Sequence, residues 1–258
     1  MEIELDIRKS AKENAAGYYE QAKALRKKAE GARKAAEETR KELEKAEREI
    51  EKEKESEKTD KTKLRERRER QWFEKFKWFV SSDGFVCIAG RDAKQNETVV
   101  SHHLEENDLF FHADIHGAPA TVLKNGKNAP ERTLGEVAGF AASHSSAWKA
   151  GAATVDVYAV EKGQVSKHAS GGYIGKGAFA ISGGRKWFRN TPLGLSIFRN
   201  EDGSVTHAPA RGINVVPGSE EKGKLAKKLA HLLEADVNEV LLALPSGDSS
   251  IADEKKVK

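Results

Sequence analysis

The sequence predicts an α+β protein: a long N-terminal coiled-coil-type helix, then a compact mixed domain with a largely antiparallel sheet. Three observations predict it. Small and apolar residues recur at heptad spacing from Ala11 to Ile50. No proline interrupts residues 1–118. Further on, short apolar runs and turn signals mix with helical segments, without the regular strand–helix–strand rhythm of a doubly wound fold.

The seam is Ala11, Ala15, Tyr18, Ala22, Leu25, Ala29, Ala32, Ala36, Thr39, Leu43, Ala46 and Ile50, with spacings that alternate between four and three. A helix over residues 8–55 extends about 70 Å. Alanine buries little area, so a lone helix gains little from such a seam. Small residues do let a second helix approach closely. The seam therefore reads as half of a coiled coil, completed by self-association or by a partner helix outside the chain. The alternative is a single helix held by Glu/Lys pairs. Met1 leads almost at once into helical sequence without a capping signal, which reads as a start inside a longer protein. Beyond Ile50 the seam fails, and Glu51–Asp60 carries weak helix signals. A second helix is expected over Leu64–Phe76. The aromatic cluster Trp72, Phe73, Phe76, Trp78 and Phe79 is expected to be buried.

Ser81-Ser82-Asp83-Gly84 is a hairpin turn between strands Trp78–Val80 and Phe85–Ala89. Asp92 caps a helix over Lys94–Leu104. Leu109–Ala113 and Pro119–Lys124 are strands. Thr133 caps a helix reaching Lys149, whose small face (Gly135, Ala138, Gly139, Ala142) suits close packing on a sheet. Ala153–Val160 alternates as a strand. A glycine-rich basic region over 163–190 holds a short strand at Ala178–Ser182. Gly194–Phe198, Val205–Ala208 and Gly212–Val216 are further strands. Ser219 caps a helix over Glu220–Leu233, and Asp236 begins another to Leu242. Three parts result: an arm over 1–70, a domain over 71–190, and an extension over 191–258 packed on or continuing that domain.

The net charge is only +4, but it is unevenly distributed. Lys162–Asn200 holds seven Lys/Arg and no acidic residue, and Lys61–Lys77 holds eight Lys/Arg against three Glu. Such asymmetry suits a polyanion. Cys87 is the single cysteine, in the apolar run Phe85–Ile88, and reads as a buried small hydrophobe. It excludes an intrachain disulfide framework and suits a reducing cytoplasm. No apolar run approaches membrane-spanning length, so no membrane partner is expected.

Three constellations carry candidate chemistry. In Phe111–Gly117, strand alternation places His112, Asp114 and His116 on one face, a spacing able to ligate a divalent metal. The opposing reading is a polar network at a strand end. Gly171–Gly177 resembles a phosphate loop but lacks the Ser/Thr after Lys176. Its glycines still admit phosphate oxygens, and Lys167, His168, Tyr173, Lys176, Arg185, Lys186 and Trp187 add charge and stacking surface. Gly90–Glu97 places Arg91, Asp92, Lys94, Gln95 and Asn96 at a strand-to-helix junction. That site either receives an anion or satisfies its own caps.

The segments Trp72–Asp83, Gly90–Glu97, Asp108–Gly117, Thr133-Leu134 with Ala147-Trp148, and Gln164–Lys167 with Gly177–Phe179 together resemble the C-terminal RNA-binding (NFACT-R) domain of the NFACT family, the RqcH- and NEMF-like factors. Glu13–Ala15 and Tyr18–Glu20 resemble the family's coiled-coil region, and residues 191–258 resemble the tail of archaeal members. The resemblance implies ribosome-associated quality control: binding of stalled large subunits, rRNA and tRNA in the cytoplasm, and support of C-terminal tailing of nascent chains. It also implies no catalytic set, cofactor or metal of the chain's own, because the ribosome makes the peptide bond. The family's N-terminal domain has no counterpart in these residues, and His102-His103 stands where basic residues are expected. Two other classes remain open beside it: a metal-dependent enzyme at His112, Asp114 and His116, and a protein-binding module.

Overall fold

A computed structural model describes residues 4–8, 10–65, 70–169, 172–209 and 211–252, with backbone alone for 44, 46–65, 168, 169, 172 and 173. The chain divides into two compact units, Met1–Arg67 and Arg68–Lys258.

The first unit is one helix, α1 (Ala11–Arg65). Its start is capped after all. Ser10 N–H and Oγ donate to Glu13 Oε2 at 2.8 and 2.7 Å, and Glu13 N–H returns to Ser10 Oγ at 3.3 Å. This reciprocal box is written in the sequence as Ser-Ala-Lys-Glu. The helix also runs through Glu51–Asp60 without a break, because Glu and Lys are strong helix formers even without an apolar stripe. From Ala11 to Leu43 every seam residue is exposed, Leu25 at 65% and Leu43 at 59%. The Ala46 and Ile50 side chains and residues 66–69 of the basic run lie outside the described set.

The second unit opens with a 3-10 turn at Trp72–Lys75, where a continued helix was expected. Strands β1 (Lys77–Val80) and β2 (Val86–Ala89) form the expected hairpin, closed by Ser81 N–H donating to Phe85 O at 2.8 Å. Then follow α2 (Ala93–His103), β3 (Leu109–Ala113) and β4 (Thr121–Leu123). Helix α3 (Glu131–Ser143) starts two residues before Thr133, and Thr133 Oγ1 bonds Ser81 Oγ and Asp83 instead of capping. The expected single helix breaks at His144–Ser145, and Ser145 caps α4 (Ser146–Lys149). The face of α3 on the sheet is Leu134, Val137, Ala138, Ala141 and Ala142; Gly135 is exposed and nothing lies within 4 Å of a Cβ built at Gly135 or Gly139.

Strand β5 (Thr154–Glu161) precedes two small pairings, β6 (Val165–Ser166) with β9 (Ala180–Ile181), and β7 (His168–Ala169) with β8 (Gly172–Tyr173). Next comes β10 (Lys186–Pro192), a strand not expected from the sequence, which begins in the glycine-rich basic region and runs two residues past it. The chain ends with β11 (Leu195–Arg199), β12 (Val205–His207), β13 (Ile213–Glu220), α5 (Lys222–Leu232), α6 (Val237–Ala243) and β14 (Ser249–Ile251). Ser219 lies in β13 and does not cap α5, whereas Asp236 does cap α6 through Asn238 N–H.

Among the described residues the main sheet has the order β10-β5-β3-β4-β2-β1-β12-β11-β13-β14. Its pairs are antiparallel apart from β1 with β12, so the sheet is largely antiparallel as expected. One face packs on α3, α5 and α6 around Phe79, Phe111, Trp148 and Leu229. The other, smaller face packs on α2 around Phe76, Ile88, Phe110 and Val160. Cys87 is fully buried in the first core. Of the aromatic cluster, Phe76 and Phe79 are buried, but Trp72 stays 47% exposed, stacked on His103 at 4.9 Å.

Candidate nucleic-acid interface

Cross-strand register builds the first part of the site. His112 on β3 pairs with Tyr158 on β5, and Tyr158 pairs with Trp187 on β10. Directly paired residues share a face, so the three rings form a row across the sheet edge. Their centroids lie 5.9 Å (His112–Tyr158) and 5.5 Å (Tyr158–Trp187) apart. Two guanidinium groups lie over that row: Arg185 is 4.6 Å from the Tyr158 centroid, and Arg189 is 3.8 Å from the Trp187 centroid. Arg189 Nη1 also donates to Asp156 at 2.6 Å. Lys186 points elsewhere, into an ion pair with Glu131.

A cleft of about 540 Å3 opens at the end of the sheet beside this row. It is bounded by the β2–α2 junction, the turn from Asp114 to Pro119, the α3–α4 corner, and the Lys176–Ile181 loop. Arg91, Asp92, Asn96, His112, His116 and Lys176 all line it, so six of the sequence-predicted residues converge there.

The junction is held by close approach. A Cβ at Gly90 would sit 2.2 Å from Asn96 Oδ1, the atom that accepts Ala120 N–H at 3.1 Å. Asp92 accepts Gln95 N–H at 2.8 Å as the α2 cap, and Gln95 Oε1 accepts Arg91 N–H. Gly177 has φ of +79°, and its Cβ would meet Ala93 Cβ at 2.6 Å. Glu97 clamps this glycine loop onto α2, accepting from Lys167 Nζ at 2.7 Å and Gly177 N–H at 3.1 Å. The Lys167 hydrogen bond, then the Gly177 N–H, hold the Glu97 carboxyl below its usual pKa. Lys167 also caps Ala178 O and lies 4.6 Å from the Phe179 ring. The side chains of His168 and Tyr173 lie outside the described residues, as do Ser170 and Gly171.

Several predicted residues thus serve the scaffold. Arg91 Nη2 donates to Phe76 O at 2.9 Å and Glu74 O at 3.3 Å, pinning the 3-10 turn. Gln95 Nε2 donates to Lys75 O. Lys94 is exposed.

The His112, Asp114, His116 face does not form. β3 ends at Ala113, Asp114 N–H donates to Asp156 O, and His116 is exposed in the turn, its carbonyl accepting Ser146 Oγ–H at 2.6 Å. Among the described residues no group of three His, Cys, Asp or Glu could hold a metal. Burial pushes His112 below the ordinary imidazole pKa, partly offset by backbone hydrogen bonds at Ala113 and Ala118.

Sequence reasoning missed the floor of the cleft. Lys77, at the start of β1, and His144, at the end of α3, both line it with Arg91. His144 is 6% exposed, and its Nδ1 has no hydrogen-bond partner; the same is true of Arg91 Nε. Burial lowers the Lys77 pKa to about 8, helped by Lys222 and Arg91, and burial lowers His144 well below the usual range, with Lys77 adding. Lys77 lies within the segment Trp72–Asp83 and His144 in none of the quoted segments; nothing in the sequence marks either as a cleft residue, so the fold reveals them.

Residues 75–183 match the NFACT protein RNA-binding domain. The chain is 48% identical over 265 aligned residues to the archaeal Rqc2 homolog aRqcH of Methanocaldococcus jannaschii, covering 96% of this chain and 39% of that protein. It is 35% identical over 202 residues to human ribosome quality control complex subunit NEMF, covering 76% of this chain and 18% of that protein. The Drosophila melanogaster NEMF homolog is 41% identical over 140 residues, covering 52% of this chain and 14% of that protein. The chain therefore spans about two fifths of the archaeal relative and under a fifth of the animal ones. Among the described residues no helix is long and apolar enough to cross a membrane.

Proposed function

The chain belongs to the NFACT family of ribosome quality control factors, and from that membership we propose that it is an RNA-docking segment of such a factor. Its targets are rRNA of the stalled large subunit and tRNA, met in the cytoplasm, and it supports C-terminal tailing without a catalytic set of its own. The supporting observation is the ring row His112–Tyr158–Trp187 overlaid by Arg185 and Arg189, which opens onto a cleft edged by Lys176. Guanidinium charge neutralises phosphate, and aromatic faces stack unpaired bases. The exposed seam of α1 suits a second helix, supplied by another segment or another copy.

The test is RNA binding across a salt series, with charge reversal at Lys176, Arg185 and Lys186. The variant is expected to bind more weakly and with a flatter dependence on salt, the logarithmic slope falling by about one for each phosphate no longer neutralised. Unchanged affinity and slope would sink the basic edge as the RNA surface. Crosslinking to ribosomal subunits and tRNA then maps the nucleotides touched.

A further inference from the structure

Three cationic or hydrogen-donating side chains converge on the cleft floor with unmet capacity. His144 is buried and its Nδ1 is unpartnered. Arg91 Nε is buried and unpartnered although its Nη2 is engaged. The Lys77 side chain makes no hydrogen bond or ion pair with a described residue, yet it lines the same cleft. Buried polar groups are ordinarily satisfied, so two buried orphan nitrogens, on His144 and Arg91, lining one cleft with the half-buried Lys77 side chain, indicate an absent partner.

The surrounding charges identify that partner as an anion. Lys222 from α5 adds its field to both Lys77 and His144. Glu239 from α6 faces Arg91 with its negative charge but is paired with Arg70 at 2.7 Å, and burial still dominates at Arg91. Asp92 on the cleft lining caps Gln95 N–H. The floor is therefore positive, partly desolvated and fixed in place, the condition under which an oxyanion is held most strongly. The rest of the cleft differs in character. Phe179, Ile181 and Ile115 give it an apolar wall, with the half-buried His112 ring beside them. Its volume of about 540 Å3 far exceeds the needs of a phosphate alone.

We infer that the cleft is a pocket for one unpaired nucleotide of an RNA, with its phosphate on Lys77, His144 and Arg91 Nε and its base against Phe179 and Ile181. This rests on the RNA-docking reading and adds to it a discrete, saturable subsite apart from the stacked edge at Trp187. The phosphate accepts from His144 Nδ1–H, from Arg91 Nε–H and from the Lys77 ammonium. A base held there is splayed out of any helix, so the pocket selects single-stranded or terminal nucleotides.

The experiment titrates the full chain with inorganic phosphate, with each of the four ribonucleoside monophosphates, and with the corresponding nucleosides, following amide shifts at Gly90, Ser145 and Gly177. The same titrations are run on Lys77→Met, His144→Phe and Phe179→Ala, each checked for a native near-UV spectrum. The expected result is saturable monophosphate binding with shifts at all three amides. Loss of the phosphate, or Lys77→Met, should weaken binding at least about tenfold, the scale of one charge-assisted hydrogen bond. Lack of monophosphate binding at millimolar concentration, or affinities unaltered in both Lys77→Met and His144→Phe, overturns the pocket. Phosphate binding as tightly as the monophosphates overturns the base subsite. If a single-stranded oligonucleotide binds the wild type and loses affinity on Trp187→Ala while no monophosphate binds, the inference fails and the RNA-docking reading stands. If neither binds, both fail.

Discussion

Replacing Lys77 by Met should stabilise the protein, and by an amount that depends on pH. The Lys77 ammonium is desolvated at the cleft floor and repelled by Lys222 and Arg91, which brings its pKa from 10.5 to about 8. In the unfolded chain the pKa returns to its ordinary value. Every tenfold drop in proton affinity is worth about 1.4 kcal/mol, so the charged lysine costs the native state roughly 3 kcal/mol near pH 7. Met keeps the apolar stem and removes the charge, so most of that cost is recovered. The sign with pH follows from proton counting. Between about pH 8 and 10.5 the unfolded chain holds a proton that the native chain has released, so wild-type stability rises with pH there. The advantage of Lys77→Met should fall to about half by pH 9.5 and nearly vanish above pH 10.5. Urea unfolding of both proteins at three pH values reads this directly. A variant no more stable than wild type at neutral pH, or a gain that does not shrink with pH, would refute the reasoning.

Other outcomes follow from the same geometry. Gly177→Ala places a side chain at φ of +79° and against Ala93, and should cost about 1–3 kcal/mol by denaturant unfolding; full tolerance would mean the loop is not clamped to α2. Glu97→Gln should speed amide exchange at Gly177, because the carboxylate that accepts from Lys167 and Gly177 is gone. In wild type this clamp is complete above the ordinary carboxylate pKa of 4.5 and is lost as pH falls through the lowered native value, so protection of the Gly177 amide relative to its intrinsic exchange rate should be lost only in acid. His207 is held to a pKa of about 4 by burial, against a Ser196 backbone hydrogen bond. The unfolded chain takes up the extra proton first, so stability falls as pH drops from about 6.5 to 4, by up to roughly 3 kcal/mol. An identical acid limb in His207→Gln would remove His207 from that account.

Local signals were legible and long-range ones were not. The α1 helix, the Ser81–Gly84 hairpin, and the Asp92 and Asp236 caps depend on neighbours within a few residues, and the structure has them. Strand β10 was missed because Lys186–Pro192 has no Val or Ile run; it becomes a strand through pairing with β5. Thr133 carried a cap signal, but the hairpin turn claims its hydroxyl, a competition the sequence order cannot show. The histidine-aspartate motif misled because strand alternation was extended past Ala113, where the chain turns. His144 and Lys77 are ordinary residues in sequence, made functional candidates by the ends of α3 and β1 meeting.

These misses share a physical cause that bears on where RNA sits. Polar residues that look conspicuous in the sequence mostly have internal obligations. Asp92 is bound to a helix end, Gln95 to Lys75 O, and Glu97 to a glycine loop. A group already paired gives a phosphate only the difference between two similar interactions. Lys94 and Lys176 make no ion pair with a described residue, and Arg185 lies over the Tyr158 and Trp187 rings rather than a carboxylate. Charge substitutions in the first group should therefore register mainly as altered stability, and substitutions in the second mainly as altered RNA affinity. Measuring both quantities on Glu97→Gln and Lys176→Glu separates them: the former should lower stability with RNA affinity kept, and the latter the reverse. If Lys176→Glu changes only stability, pairing status is the wrong guide to the interface.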